Sequence, residues 1–127
     1  MITSLYLGLL GLLYIFMTFE TIKARWDNKI SLGAGPQNEI AHFTSAHNNF
    51  SNYAPLFLLG LFVLEAQSIH PLFLHIASLI FVMGRIFHYL AMRGKKMNFR
   101  RRKIGMILTI ASLISLFSCN LLCFFLK

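Results

Sequence analysis

The densest concentration of groups able to hold a ligand lies between Ser45 and Pro55, where the chain reads SAHNNFSNYAP. On a helical wheel of about 100° per residue, His42, Ser45, Asn49, Asn52 and Tyr53 share one face, while His47 points almost the opposite way. Lipid offers such groups no hydrogen bonds, so both faces need protein or water beside them. One face can be covered by the chain's own helices and the other by a second subunit. Two uses are open. Asn and His can bridge neighbouring helices, at roughly 0.6–2 kcal/mol each, or the cluster can hold a polar ligand, which its density favours.

A second constellation follows in Gly84-Arg85-Ile86-Phe87-His88-Tyr89. Arg85, His88 and Tyr89 stand at i, i+3 and i+4, on one helix face. An arginine at membrane depth is costly and must pair or face a cavity. Either it forms a structural ion pair with Glu20 or Glu65, the carboxylates near apolar segments, or it touches a ligand directly. His88 can donate to an anionic ligand or bond a carbonyl. The run Arg100-Arg101-Arg102-Lys103 opens the last apolar segment. Most of these cations suit lipid headgroups, yet a cation at a helix start beside free N–H groups also makes an anion site. The five histidines have no metal-ligand spacing, so a metal centre is not expected. No phosphate loop or hydrolase triad is present.

The elements that must position these groups are apolar. Of 127 residues, 57% are hydrophobic and only 13% charged, against about 45–50% and about 25% in soluble domains. Disorder and a disulfide scaffold are excluded. Cys119 and Cys123, four apart on one face, stand too far apart for an unstrained bridge and read as apolar fillers. The expected fold is all-α, an integral membrane four-helix bundle forming one domain over 1–127, with spans at about 2–22, 40–66, 71–92 and 104–126. Gly33, Gly35 and Pro36 break the first connector. The first segment lacks a positive leader region and a small-residue cleavage site, so it is expected to be retained.

Twelve Lys and Arg against 4 Asp and Glu leave a charge of +8, which invites a nucleic-acid partner. Placement decides against one. Seven of the cations fall between Arg93 and Lys103, in a connector between two apolar segments, as in a cytoplasmic loop. Lys23, Arg25 and Lys29 mark the first connector, and the second has no charge. Connectors one and three then face the cytoplasm and both termini lie opposite.

This order of motifs resembles the MAPEG family, membrane-associated proteins of eicosanoid and glutathione metabolism. The likeness rests on His47-Asn48-Asn49, Tyr53-Ala54-Pro55, Gly84-Arg85 with His88, and Arg102-Lys103-Ile104-Gly105-Met106. It spans nearly the whole chain and is closest to the small bacterial members. The resemblance implies a homo-oligomer, a trimer of four-helix subunits, in a bacterial inner membrane. It further implies glutathione held as a substrate between subunits and a lipophilic small molecule arriving through the bilayer. By position, Arg25 corresponds to a basic glutathione contact, His47 to a Gln or His contact, Asn49 to the family Asn, and Tyr53 to the Tyr before the Pro. His88 stands where many members have Tyr or His. Arg102, or alternatively Arg101, matches the arginine that activates the thiol.

Two positions depart from that pattern. Ser45 stands where many relatives have a glutathione-binding Arg, and Asn52 where they have a Glu that binds the ligand's amino group. Together these remove two charge-assisted hydrogen bonds of about 1.5–3 kcal/mol each. The expected function is a glutathione transferase or peroxidase acting on lipophilic electrophiles. The alternative is a non-catalytic lipid- or partner-binding protein of the same fold. A small multidrug-type transporter would need a carboxylate early in the first span, and Glu20 sits at the wrong end.

Overall fold

The computed structural model describes residues 1–93 and 96–126. Gly94, the connector cation Lys95, and Lys127, whose side of the membrane was inferred above, lie outside the described residues. The chain is four helices: α1 Ile2–Asn28, α2 Ala41–Ala66, α3 Pro71–Met92 and α4 Phe99–Phe125. Helices α1, α3 and α4 are each long and apolar enough to cross a membrane. Helix α2 has 26 residues, about 39 Å at 1.5 Å per residue, but its first half carries the polar cluster. The fold is a four-helix membrane bundle.

Local chemistry sets the helix ends. Helix α1 runs six residues beyond the expected Ile22 and stops at Lys29, which is left-handed at φ 55°. There the Lys29 and Ile30 N–H groups close back on Trp26 and Arg25 carbonyls. The cations Lys23 and Arg25 therefore belong to the helix, where long stems let charged heads reach the membrane boundary. The Asn98 side chain caps α4 by accepting from Arg101 N at 3.1 Å, so the basic run is itself helical. At the opposite end, the Glu65 carboxylate accepts from the free Ile2 and Thr3 N–H groups that open α1.

Packing follows the small residues. The buried positions of α1, namely Thr3, Tyr6, Leu10, Met17 and Ala24, form one inward stripe. Phe57 of α2 stacks on Phe81 of α3, with ring centroids 4.0 Å apart. Cys119 and Cys123 are free thiols at the edge of this core. Helices α3 and α4 come into backbone contact at Gly84 and Gly105. A Cβ on Gly105 would lie 2.6 Å from His88 N, and one on Gly84 would lie 2.9 Å from Gly105 O. Without a hydrophobic drive between helices in lipid, such close approach supplies much of the attraction. Gly105→Ala and Gly84→Ala are each expected to cost roughly 1–3 kcal/mol, read as a lower unfolding temperature in detergent. Gly8→Ala, with nothing within 4 Å, is the control that should change little.

Candidate functional site

The five residues that a regular wheel places on one face of α2 are split by the bundle. His42 lines a small cavity together with Met17, Tyr89 and Arg93. Ser45 and Asn52 are exposed on the outer surface of α2. Asn49 and Tyr53 turn inward toward α3. His47 faces α1, opposite to Asn49 as its wheel position requires.

Two groups of polar side chains result. The first surrounds Arg85, which is only 2% exposed. Its Nε donates to Thr109 Oγ1 at 3.0 Å and its Nη1 to Asn49 Oδ1 at 2.6 Å, while Nη2 also reaches Thr109. The Tyr53 ring lies 5.4 Å from the guanidinium carbon and the Phe81 ring 5.7 Å. Neither carboxylate considered above is its partner: Glu20 pairs with Arg93 at 3.0 Å, and Glu65 caps α1 at the other end of the bundle. Those two acids answer nearer needs, a cation on the same boundary and bare helix N–H groups. Arg85 is thus a buried cation held by neutral oxygens and aromatic faces. Hydrogen bonds to a charged group, about 1.5–3 kcal/mol each, offset a membrane cost of about 2.5–3.5 kcal/mol.

The second group lines a cleft of about 420 Å³ between α1, the first connector and α2, walled by Thr18, Thr21, Arg25, Thr44, His47 and Asn48 among others. Thr18 Oγ1 donates to Tyr14 O at 2.9 Å. The same hydroxyl lies 2.9 Å from His47 Nε2, a hydrogen bond that joins α1 to α2. Among the described residues, Arg25 Nη1 is buried without a hydrogen-bond partner. Between the two groups, an open groove of about 390 Å³ runs along Thr44, Ser45, Asn48, Asn49 and Asn52. It shares Thr44 and Asn48 with the cleft and touches the Arg85 group at Asn49.

The remaining candidates lie at the margins of these groups. His88 is buried at the α3–α4 crossing, with its backbone against Gly105. Arg102 is exposed in the first turn of α4, and among the described residues it bonds Met97 Sδ at 3.3 Å rather than another candidate. Within one subunit, then, Arg25 and His47 meet at one cleft, and Asn49, Tyr53 and Arg85 meet in a buried cluster. Asn52 and Arg102 stay apart from both. Thr109, which anchors Arg85, escaped the sequence reading, although Gly105 and Thr109 at i and i+4 form a small-residue pair that marks close helix contact.

Arg25 and His47 of the cleft meet no acid there, and the groove is lined by neutral polar groups: among the described residues, neither lining includes Asp or Glu. The surface is suited to an anion rich in hydrogen-bonding groups. Comparison with known proteins agrees in family and stops short of activity. The family model described as MAPEG family matches residues 3–122. The inner membrane protein YecN of Escherichia coli K12 is 26% identical over 121 residues, covering 95% of this chain and 91% of that protein. YecN of Escherichia coli O6:H1 matches to the same extent. No solved structure matches significantly.

Proposed function

The chain belongs to the MAPEG family, and from that premise we propose that it binds glutathione between subunits and conjugates it to a lipophilic electrophile. The observation that carries this reading is the acid-free polar groove of Ser45, Asn48 and Asn52, open on the outside of a membrane helix, which shares Thr44 and Asn48 with the Arg25 cleft and reaches the buried Arg85 through Asn49. Exposed amides cannot face lipid, so a second copy covers this side of α2 in a homo-oligomer, the family trimer. The groove between copies then joins the Arg25–His47 cleft of one subunit to polar groups of its neighbour. Glutathione has the matching chemistry: two carboxylates, two amides and a thiol. The proposed setting is a bacterial inner membrane, as the name of the relatives suggests for them, with the basic connectors cytoplasmic.

In this mechanism Arg25, His47, Asn49 and Tyr53 hold the tripeptide, with His88 and Asn52 beside it. Arg102 favours the thiolate over the thiol, because a guanidinium near sulfur stabilises the charged form. The thiolate attacks the electrophilic carbon, forming the C–S bond as the leaving group departs with its electron pair. A second reading has one specific support. Asn52 and Ser45 carry no charge where relatives have Glu and Arg, which fits a non-catalytic lipid- or partner-binding protein. Calorimetry of glutathione with detergent-purified protein, followed by conjugation of a generic aryl halide, separates the two. Binding with conjugation is expected. Binding without conjugation supports the second reading, and no binding overturns the glutathione site.

A further inference from the structure

The connector between α3 and α4 closes on itself just before the basic turn. Asn98 N donates to Ala91 O at 3.0 Å, so the chain returns to the last turn of α3 before α4 begins. The Asn98 carbonyl accepts from Arg102 N at 3.0 Å, and its side chain accepts from Arg101 N at 3.1 Å. These bonds fix the backbone of α4's first turn. Met97, the residue before the cap, is half-buried and packs against the hydrophobic core. Its Sδ accepts from Arg102 Nη1 at 3.3 Å. Arg100, Arg101 and Lys103 are exposed alongside, and among the described residues Arg102 alone of the four has its side chain hydrogen-bonded. After Glu65 the sequence has no Asp or Glu, so neither the connector nor α4 offers that guanidinium a carboxylate.

We propose that Met97 is a positioning residue for Arg102, its thioether holding the guanidinium in place for the glutathione sulfur without neutralising it. The inference rests on the transferase reading and adds one residue to it. An exposed arginine has several rotatable bonds to freeze. A contact made before the ligand arrives removes part of that cost from the chemical step. The kind of acceptor matters as much as its place. A carboxylate at position 97 would pair with Arg102, and its charge would oppose a second anion there. A thioether is a weak, neutral acceptor. It orients the donor, leaves the positive charge undiminished, and yields to a thiolate, whose negative charge makes the stronger bond. Anchoring on the core keeps the sulfur itself in one place, which a side chain on a free loop would not do.

The test compares Met97→Leu, Met97→Gln and Met97→Glu with wild type in the ultraviolet titration of bound glutathione and in conjugation of an aryl halide. Leucine keeps the packing and removes the acceptor. It should raise the bound thiol's pKa by about half a unit and lower kcat about threefold at neutral pH, with KM for glutathione changed less than about twofold. Glutamine returns a neutral acceptor and should restore the titration and kcat toward wild type. Glutamate should raise the thiol pKa furthest, by about one unit. In an Arg102→Ala background the leucine exchange should have no further effect on the titration. Met83→Leu, at a lipid-facing methionine 49% exposed, controls for the exchange itself and should match wild type. Unfolding temperatures identify any variant whose fold is impaired, and a merely structural Met97 would not produce this order of thiol titrations. A leucine variant that titrates and turns over like wild type overturns the role of Met97 and leaves the transferase reading standing. So does a glutamine variant no better than leucine, or a leucine effect that persists without Arg102. Absence of both thiolate and conjugation in wild type overturns the two together.

Discussion

Arg85→Ala is expected to destabilise the bundle by about 3–5 kcal/mol, whereas Arg85→Met is expected to cost less, about 1–3 kcal/mol, yet bind glutathione at least about tenfold more weakly. Alanine leaves a hole among Phe81, Tyr53 and Thr109, and strands the Asn49 carbonyl oxygen that now accepts from Nη1. Methionine fills most of that space and removes the buried charge, so its cost is confined to the Asn49 oxygen it leaves without a donor. What methionine cannot do is hold Asn49. With its oxygen fixed on Arg85, the Asn49 amide nitrogen is directed toward Met106 Sδ, 3.8 Å away and a weak acceptor, so it remains able to donate to a ligand. Arg85 thereby acts as a positioning residue for a proposed glutathione contact. Unfolding temperature and calorimetric affinity, measured on both variants, separate the two effects. A methionine variant that binds glutathione like wild type would reduce Arg85 to glue between α2, α3 and α4.

Arg102→Ala should lower turnover about 10–100-fold at neutral pH and leave glutathione affinity nearly unchanged, provided the transferase reading holds. The sulfur's charge develops after the tripeptide is already held, so a residue that stabilises it acts on the chemical step. A guanidinium beside a thiol lowers its pKa; without one, less thiolate is present at neutral pH and the rate recovers as pH rises. Arg25→Ala should do the reverse, raising KM with turnover at saturation largely kept. The thiolate's ultraviolet absorbance, followed against pH with glutathione bound, reads the effect directly. An unchanged thiol titration in Arg102→Ala would transfer the role to Arg101. In the isolated subunit the Arg102 side chain rests on Met97, and both arginines are exposed on α4's first turn. A loss of turnover in Arg102→Ala would therefore also mark the place where a neighbouring subunit's glutathione lies.

The amino-acid sequence by itself determined that this chain is four helices in a membrane. Apolar runs of the right length, glycine and proline between them, and cations gathered in two connectors are local or additive signals, legible one segment at a time. Family membership was legible for a related reason: the resemblance rested on short motifs in a fixed order, and the family model matches residues 3–122. Helix ends were read less well, because Arg25 and the run from Arg100 look like loop by charge but are helical by backbone hydrogen bonding.

Partnership was left to the tertiary structure. A wheel could put Asn49 and Asn52 on one side of α2, but only the packing of α3 and α4 turned Asn49 onto Arg85 and left Asn52 outside. The sequence offered Arg85 two acids, and the fold gave Glu20 to Arg93 and Glu65 to the start of α1. Thr109 became an anchor because Gly84 and Gly105 let two backbones touch, bringing its hydroxyl within reach of a guanidinium 24 residues away. Hydrogen bonds act over about 3 Å, so which polar groups satisfy one another depends on how helices cross in space, a quantity that spacing along one helix does not contain.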